Sequence, residues 1–102
     1  MYRIPIYDII VIKTFADKDT EALFNGERVR RFMSIETVAR RKLTQLHAAA
    51  RLEFLRAPPG NRLEALKGDR AGQHSVRIND QFRVCFRWLD GDALNVEIVD
   101  YH

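Results

Sequence analysis

An α+β domain, with helices packed on one face of a small, mainly antiparallel sheet, is predicted by three observations. Apolar residues recur at three- and four-residue steps in the first half of the chain. The period falls to two after Arg62. Turn signals such as Pro58-Pro59-Gly60-Asn61 and Asp90-Gly91 separate the segments. At 102 residues, 46% apolar and 30% charged, the chain fits one domain, residues 1 to 102. A domain of this size buries roughly 65% of its unfolded surface without staples.

Residues 1 to 8 contain Pro5 and no clear period, and are expected to form a loose N-terminal arm. The β-branched run over residues 9 to 15 predicts a buried strand. Asp17, Asp19 and Thr20 offer caps for a short helix through Phe24, which Asn25-Gly26 ends. Ser34 is placed to cap a longer helix in which Ile35, Val38, Ala39, Leu43, Leu46, Ala49 and Ala50 form one apolar stripe. A helical turn over Leu52 to Leu55 follows. A meander of strands is then predicted at Leu63 to Leu66, His74 to Ile78, Phe82 to Trp88 and Leu94 to Val99, with a hairpin turn at Asp90-Gly91.

Composition narrows the chemistry. The longest apolar run, Ile9-Ile10-Val11-Ile12, is too short to span a bilayer, and the first residues lack the pattern of a signal peptide. A cytosolic location without membrane contact is therefore expected. Cys85 is the single cysteine, which excludes disulfide frameworks and cysteine-based zinc sites, and the spacing of His47, His74 and His102 carries no metal signature.

The net charge is +3, with 17 Lys and Arg against 14 Asp and Glu. Six cations between Arg28 and Lys42 meet one anion, Glu36, and five between Arg62 and Arg83 meet Glu64, Asp69 and Asp80. Such clusters suit a polyanion partner and equally suit solvated helix and strand faces.

Alternation within the strands gives direction to those charges. Phe82, Val84, Phe86 and Trp88 share the face that the helices cover, with Val76, Ile78, Leu94, Val96 and Ile98 on the same side. Parity sends Ser75, Arg77, Arg83, Cys85, Arg87, Glu97 and Tyr101 to the helix-free side. Arg77, Arg83 and Tyr101 thus converge, with Lys67 and Arg70 in the preceding loop, where they can clamp a phosphodiester and stack a base.

Cleaving RNA at such a surface needs a base for the 2′-hydroxyl, a cation for the phosphate and an acid for the leaving oxygen. Arg and Lys serve the second need, and His102, Tyr101 or Glu64 the others. Plainer readings stand beside these: Arg77 and Arg83 pair with Glu97 or Asp80, Tyr101 is an edge aromatic, His102 a tail residue and His74 a core histidine. His47 is explained by the dipole at a helix end.

The segment Pro59-Gly60-Asn61-Arg62-Leu63-Glu64-Ala65-Leu66-Lys67-Gly68-Asp69-Arg70-Ala71-Gly72-Gln73-His74-Ser75-Val76-Arg77-Ile78-Asn79-Asp80-Gln81-Phe82-Arg83-Val84-Cys85-Phe86, with the ending Val96-Glu97-Ile98-Val99-Asp100-Tyr101-His102, resembles the HigB toxins of the RelE superfamily, the plasmid maintenance system killer proteins. The resemblance runs from about Ile12 onward.

It implies a RelE-like fold and a type II toxin, an mRNA interferase that enters the ribosomal A site, against 16S ribosomal RNA, and cuts translated mRNA without metal or cofactor. A HigA-type antitoxin with a helix-turn-helix would neutralise it, so direct DNA binding by this chain is not expected. Carried over by motif, Arg83, Tyr101 and His102 would be catalytic with Asp100 assisting, and Lys67 and Arg77 would hold RNA, joined by Arg62 and Arg70. Glu64 stands where some members place histidine, which leaves it as a candidate base or as a sign of weaker cutting. A non-catalytic module that binds RNA or antitoxin is the alternative. The lead-in over residues 1 to 8 is longer than is usual in the family.

Overall fold

In the computed structural model of the chain, residues 11–101 are described. The arm at residues 1 to 8, the start of the first predicted strand and His102 lie outside the described residues.

Helix α1 spans Lys18–Phe24, and Asp17 caps it by accepting from the Thr20 backbone N–H at 3.2 Å. Thr20 is fully buried, and its hydroxyl both donates to Asp17 Oδ1 (2.6 Å) and accepts from the Ile98 N–H (3.0 Å), which ties α1 to the sheet. Helix α2 spans Glu36–His47. Ser34 does not cap it. A 3₁₀ turn over Arg30–Ile35 runs straight into α2 because Phe32 and Ile35 are both drawn into the core, so Ile35 takes the cap position and Ser34 stays exposed within the turn. The apolar stripe is otherwise as the spacing indicates, except that Ala50 is exposed because the helix ends at His47.

The sheet has four strands, β1 (Glu64–Ala65), β2 (Gln73–Arg77), β3 (Phe82–Leu89) and β4 (Asp92–Asp100), paired antiparallel in chain order. Asp90 and Gly91 both take positive φ, at 51° and 86°. That is the two-residue turn whose twist matches a hairpin. The β2–β3 turn is built by Asn79, whose Oδ1 accepts from the N–H groups of Gln81 (2.8 Å) and Phe82 (2.7 Å).

Residues 11–15 do not form the continuous strand expected of them. They run parallel to β4 through two isolated bridges, Ile12 with Ala93 and Phe15 with Val96. The interruption has a local cause: Asn95 adopts a left-handed conformation (φ 54°), and the β3–β4 register shifts between Cys85 and Arg87. Two residues of β4 there oppose one of β3, a β-bulge. The bulge also reverses parity, so Ala93, not Leu94, faces the core, and Leu94 pairs with Arg87 on the other face.

One apolar cluster joins helices and sheet, with Phe32, Leu43, Leu46, Val84, Phe86 and Val96 fully buried. Burying each such side chain contributes about 1.5–3 kcal/mol. Phe32 meets Phe82 edge to face with centroids 6.1 Å apart, which locks the 3₁₀ turn onto β3.

Candidate functional site

Register places the predicted residues in rows on the helix-free face. Arg77 stands directly opposite Arg83, which is opposite Val99; Glu64, Ser75, Cys85 and Glu97 form the next row. Like charges directly opposite repel, and each guanidinium has an acidic neighbour: Arg77 binds Asp80, and Arg83 Nη2 lies 3.5 Å from Glu64 Oε1. The plainer pairing of Arg77 with Asp80 is therefore present. Arg83 does not pair with Glu97, which lies 3.4 Å from Arg70 instead.

Arg83 is the most rigidly held of these cations. Its Nε donates to Ser75 Oγ at 2.7 Å and its Nη2 to the Arg62 carbonyl at 2.8 Å, and only 13% of its side chain is exposed. Arg62 thus reaches the site through its carbonyl, in a left-handed conformation (φ 45°) that turns the oxygen toward Arg83. The face is not bare: Ser75 and Cys85 are fully buried beneath the charged side chains.

Beside Arg83 opens a cleft of about 500 Å³ lined by Leu66, Lys67, Asp69, Arg70, Val99, Asp100 and Tyr101. One wall is the 3₁₀ turn Gly68–Arg70, the other the end of β4. That end is anchored, since the Tyr101 N–H donates to the Gln81 carbonyl at 2.7 Å and Gln81 Nε2 donates to Asp100 Oδ2 at 3.1 Å. Tyr101 keeps 48% of its surface in solvent while its hydroxyl turns inward to Cys85 Sγ, 3.6 Å away.

Burial raises the Tyr101 phenol above its ordinary pKa, with the Cys85 contact adding to the shift and Arg70 and Arg83 opposing it. Burial likewise raises Cys85. Both groups therefore keep their protons at neutral pH. The exposed ring of Tyr101 is thus open to stacking, and its protonated hydroxyl can donate a hydrogen bond.

Lys67, Arg70, Asp100 and Tyr101 thus share the cleft, with Arg83 and Glu64 on the adjoining rows. Arg77 is one row end away and His102 is outside the described residues. The sequence reading missed Ser75 as the hydroxyl that orients Arg83, though strand parity carries that signal. It also missed Lys42, one of the six cations between Arg28 and Lys42, which is buried, 9% exposed.

The other histidines sit elsewhere. His74 stacks on Phe86 on the helix side, and burial lowers its pKa. His47 accepts the Ile12 N–H at Nδ1 (3.2 Å) and is also lowered by burial. A neutral acceptor replaces the dipole-stabilised cation expected at that helix end. Among the described residues, no helix is long and apolar enough to cross a membrane.

The family model described as RelE-like toxin of type II toxin-antitoxin system HigB matches residues 13–102. The chain is 45% identical over 83 residues to Toxin HigB-1 of Vibrio cholerae serotype O1, covering 79% of this chain and 87% of the relative. It is 39% identical over 41 residues to Endoribonuclease HigB of Proteus vulgaris, 40% of this chain and 45% of that one. Among solved structures, the YoeB-YefM complex from Staphylococcus aureus is similar in fold, with a TM-score of 0.53 at 17% identity, covering 89% of this chain and 97% of the other. The YoeB dimer from the same organism gives the same TM-score, 0.53, at 21% identity, with 91% and 97% covered.

Proposed function

The chain belongs to the RelE-like HigB toxins of type II toxin-antitoxin systems, and from that premise we propose that it is an endoribonuclease that cuts mRNA in the ribosomal A site. The observation that carries this reading is the clustering of a rigidly held arginine, two loop cations and a neutral tyrosine around one cleft on the helix-free face. The relative named as an endoribonuclease supports the same chemistry.

In the proposed mechanism, Lys67 and Arg70 draw the RNA backbone into the cleft while Tyr101 stacks on a base. Arg83 binds the scissile phosphate with donors fixed in advance, so little reorganisation is needed as charge develops in line. Phosphate binding competes with Glu64 for the Arg83 guanidinium. The displaced carboxylate then stands beside the phosphate as the group that takes the 2′-hydroxyl proton. His102 is assigned to protonate the leaving 5′-oxygen, and the bond broken is the one from phosphorus to that oxygen, leaving a cyclic phosphate. Arg77, Arg62 and Asp100 support RNA contact and the cleft wall. A HigA-type helix-turn-helix antitoxin is the proposed neutralising partner.

The test is induction of the chain without antitoxin, with 5′ ends mapped on a translated reporter and on the same message with its start codon removed. New ends confined to the translated message are expected, and Arg83→Ala, Tyr101→Ala and His102→Ala should each relieve growth arrest while still folding. Growth arrest with unchanged RNA ends would favour a non-catalytic binding module.

A further inference from the structure

The segment that brings Arg62 and Glu64 to Arg83 is held by a buried polar network that starts on α2. Pro59–Asn61 form a 3₁₀ turn, and Asn61 at its end is fully buried. Every polar atom of its side chain is engaged. Oδ1 accepts from Lys42 Nζ at 2.5 Å, and Nδ2 donates toward Leu55 O (3.0 Å), Gln45 Oε1 (3.1 Å) and Ala57 O (3.2 Å). Gln45 closes the ring through Nε2 to the Ala57 carbonyl, 2.5 Å away. Lys42 and Gln45 are three residues apart and so share one face of α2.

Lys42 is unusual in this position. Its ammonium is buried, and desolvation lowers its pKa first, with the like charges of Arg41 and Arg77 adding to the shift. Among the described residues no carboxylate ion-pairs with it. A buried cation without an anion is costly, and packing alone is served as well by a methionine. What an apolar side chain lacks is a donor for Asn61.

The next residue along is Arg62. A left-handed backbone (φ 45°, ψ 58°) is disfavoured for any residue with a Cβ, so it persists only where its surroundings hold it. On one side the Arg62 N–H donates to the Pro59 carbonyl at 3.1 Å, closing the 3₁₀ turn that the buried Asn61 side chain anchors. On the other, the Arg62 carbonyl accepts from Arg83 Nη2.

We propose that Lys42 and Asn61 are positioning residues that act through the Arg62 carbonyl to fix the guanidinium of Arg83, and with it Glu64, for attack on RNA. The proposal rests on reading Arg83 as the group that binds the scissile phosphate. Small losses of placement at such a group reduce rate steeply while leaving binding nearly intact.

The experiment pairs NMR of the Arg83 side chain in the full chain with single-turnover cleavage on mRNA-programmed ribosomes. The wild-type protein is expected to give resolved Nη1 and Nη2 signals, the mark of a guanidinium that rotates slowly. Lys42→Met and Asn61→Asp, each melting cooperatively, should merge those signals and lower the cleavage rate at least tenfold, with less than a twofold change in half-saturating concentration. Adding Lys42→Met to Arg83→Ala should cost nothing further. If Lys42→Met does not fold, Gln45→Ala provides the same readouts from the half-buried member of the network.

Averaged Nη signals in the wild type, unchanged signals and rate in the folded variants, or a full Lys42→Met effect in the Arg83→Ala background would each overturn the proposal. A wild-type protein that cuts no RNA would instead sink the functional reading, and the Nη signals would still judge the positioning by themselves.

Discussion

Tyr101 combines an exposed ring with a hydroxyl held against a buried thiol, and the two ends of the side chain separate experimentally. Removing the ring removes stacking, worth about 1–3 kcal/mol per base. Removing only the hydroxyl leaves the stack intact. Tyr101→Ala is therefore expected to weaken RNA binding and slow cleavage, whereas Tyr101→Phe slows cleavage alone. Glu64→Gln tests the base separately, with an expected rate loss on the order of 10²-fold and unchanged binding. Single-turnover rates across RNA concentration resolve the three variants, and wild-type cleavage by Glu64→Gln would remove Glu64 from the mechanism. Strand parity made Arg77, Arg83 and Tyr101 legible in the sequence. Parity also carries Ser75 to that face; Asn61 and Lys42 are not legible, because an amide and an ammonium look alike on paper whether solvated or saturated by partners distant in the chain.

At the scale of elements, the hydrophobic periods located α2 and the four strands, cap residues and Asn25-Gly26 located α1, and Asp90-Gly91 marked its turn. What periodicity cannot show is a bulge. Asn95 breaks the alternation of β4 at one residue, which moves Leu94 off the core side and splits the edge pairing of residues 11–15. The tolerance of asparagine for left-handed backbone was the available signal.

Two elements also carry histidines that burial keeps neutral, His47 at the end of α2 and His74 in β2. Their folded pKa values lie below the unfolded value of about 6.5. Between those limits the unfolded chain binds protons that the folded chain refuses, so stability rises with pH across that window and is lost as pH falls below about 6.5. Urea midpoints are expected to drop between pH 7.5 and pH 5, and a His47→Gln, His74→Gln double variant should show a shallower drop. An equal slope in both proteins would mean that other groups set it.

For the whole molecule, α1 and α2 shield one face of the sheet, and the opposite face carries Arg77, Arg83, Glu64 and the cleft between Lys67 and Tyr101. A shallow, cationic, one-sided site suits a large polyanionic substrate presented by another body, and the ribosome is the proposed body. The most direct measurement compares purified protein acting on one labelled mRNA, naked and bound to ribosomes with an open A site. Cleavage within the A-site codon of the ribosome-bound message, at least about 10²-fold faster than on naked RNA and slowed by about 10²- to 10³-fold in Arg83→Ala, is the expected result. Equal cutting of naked RNA, or intact message on the ribosome, would contradict it.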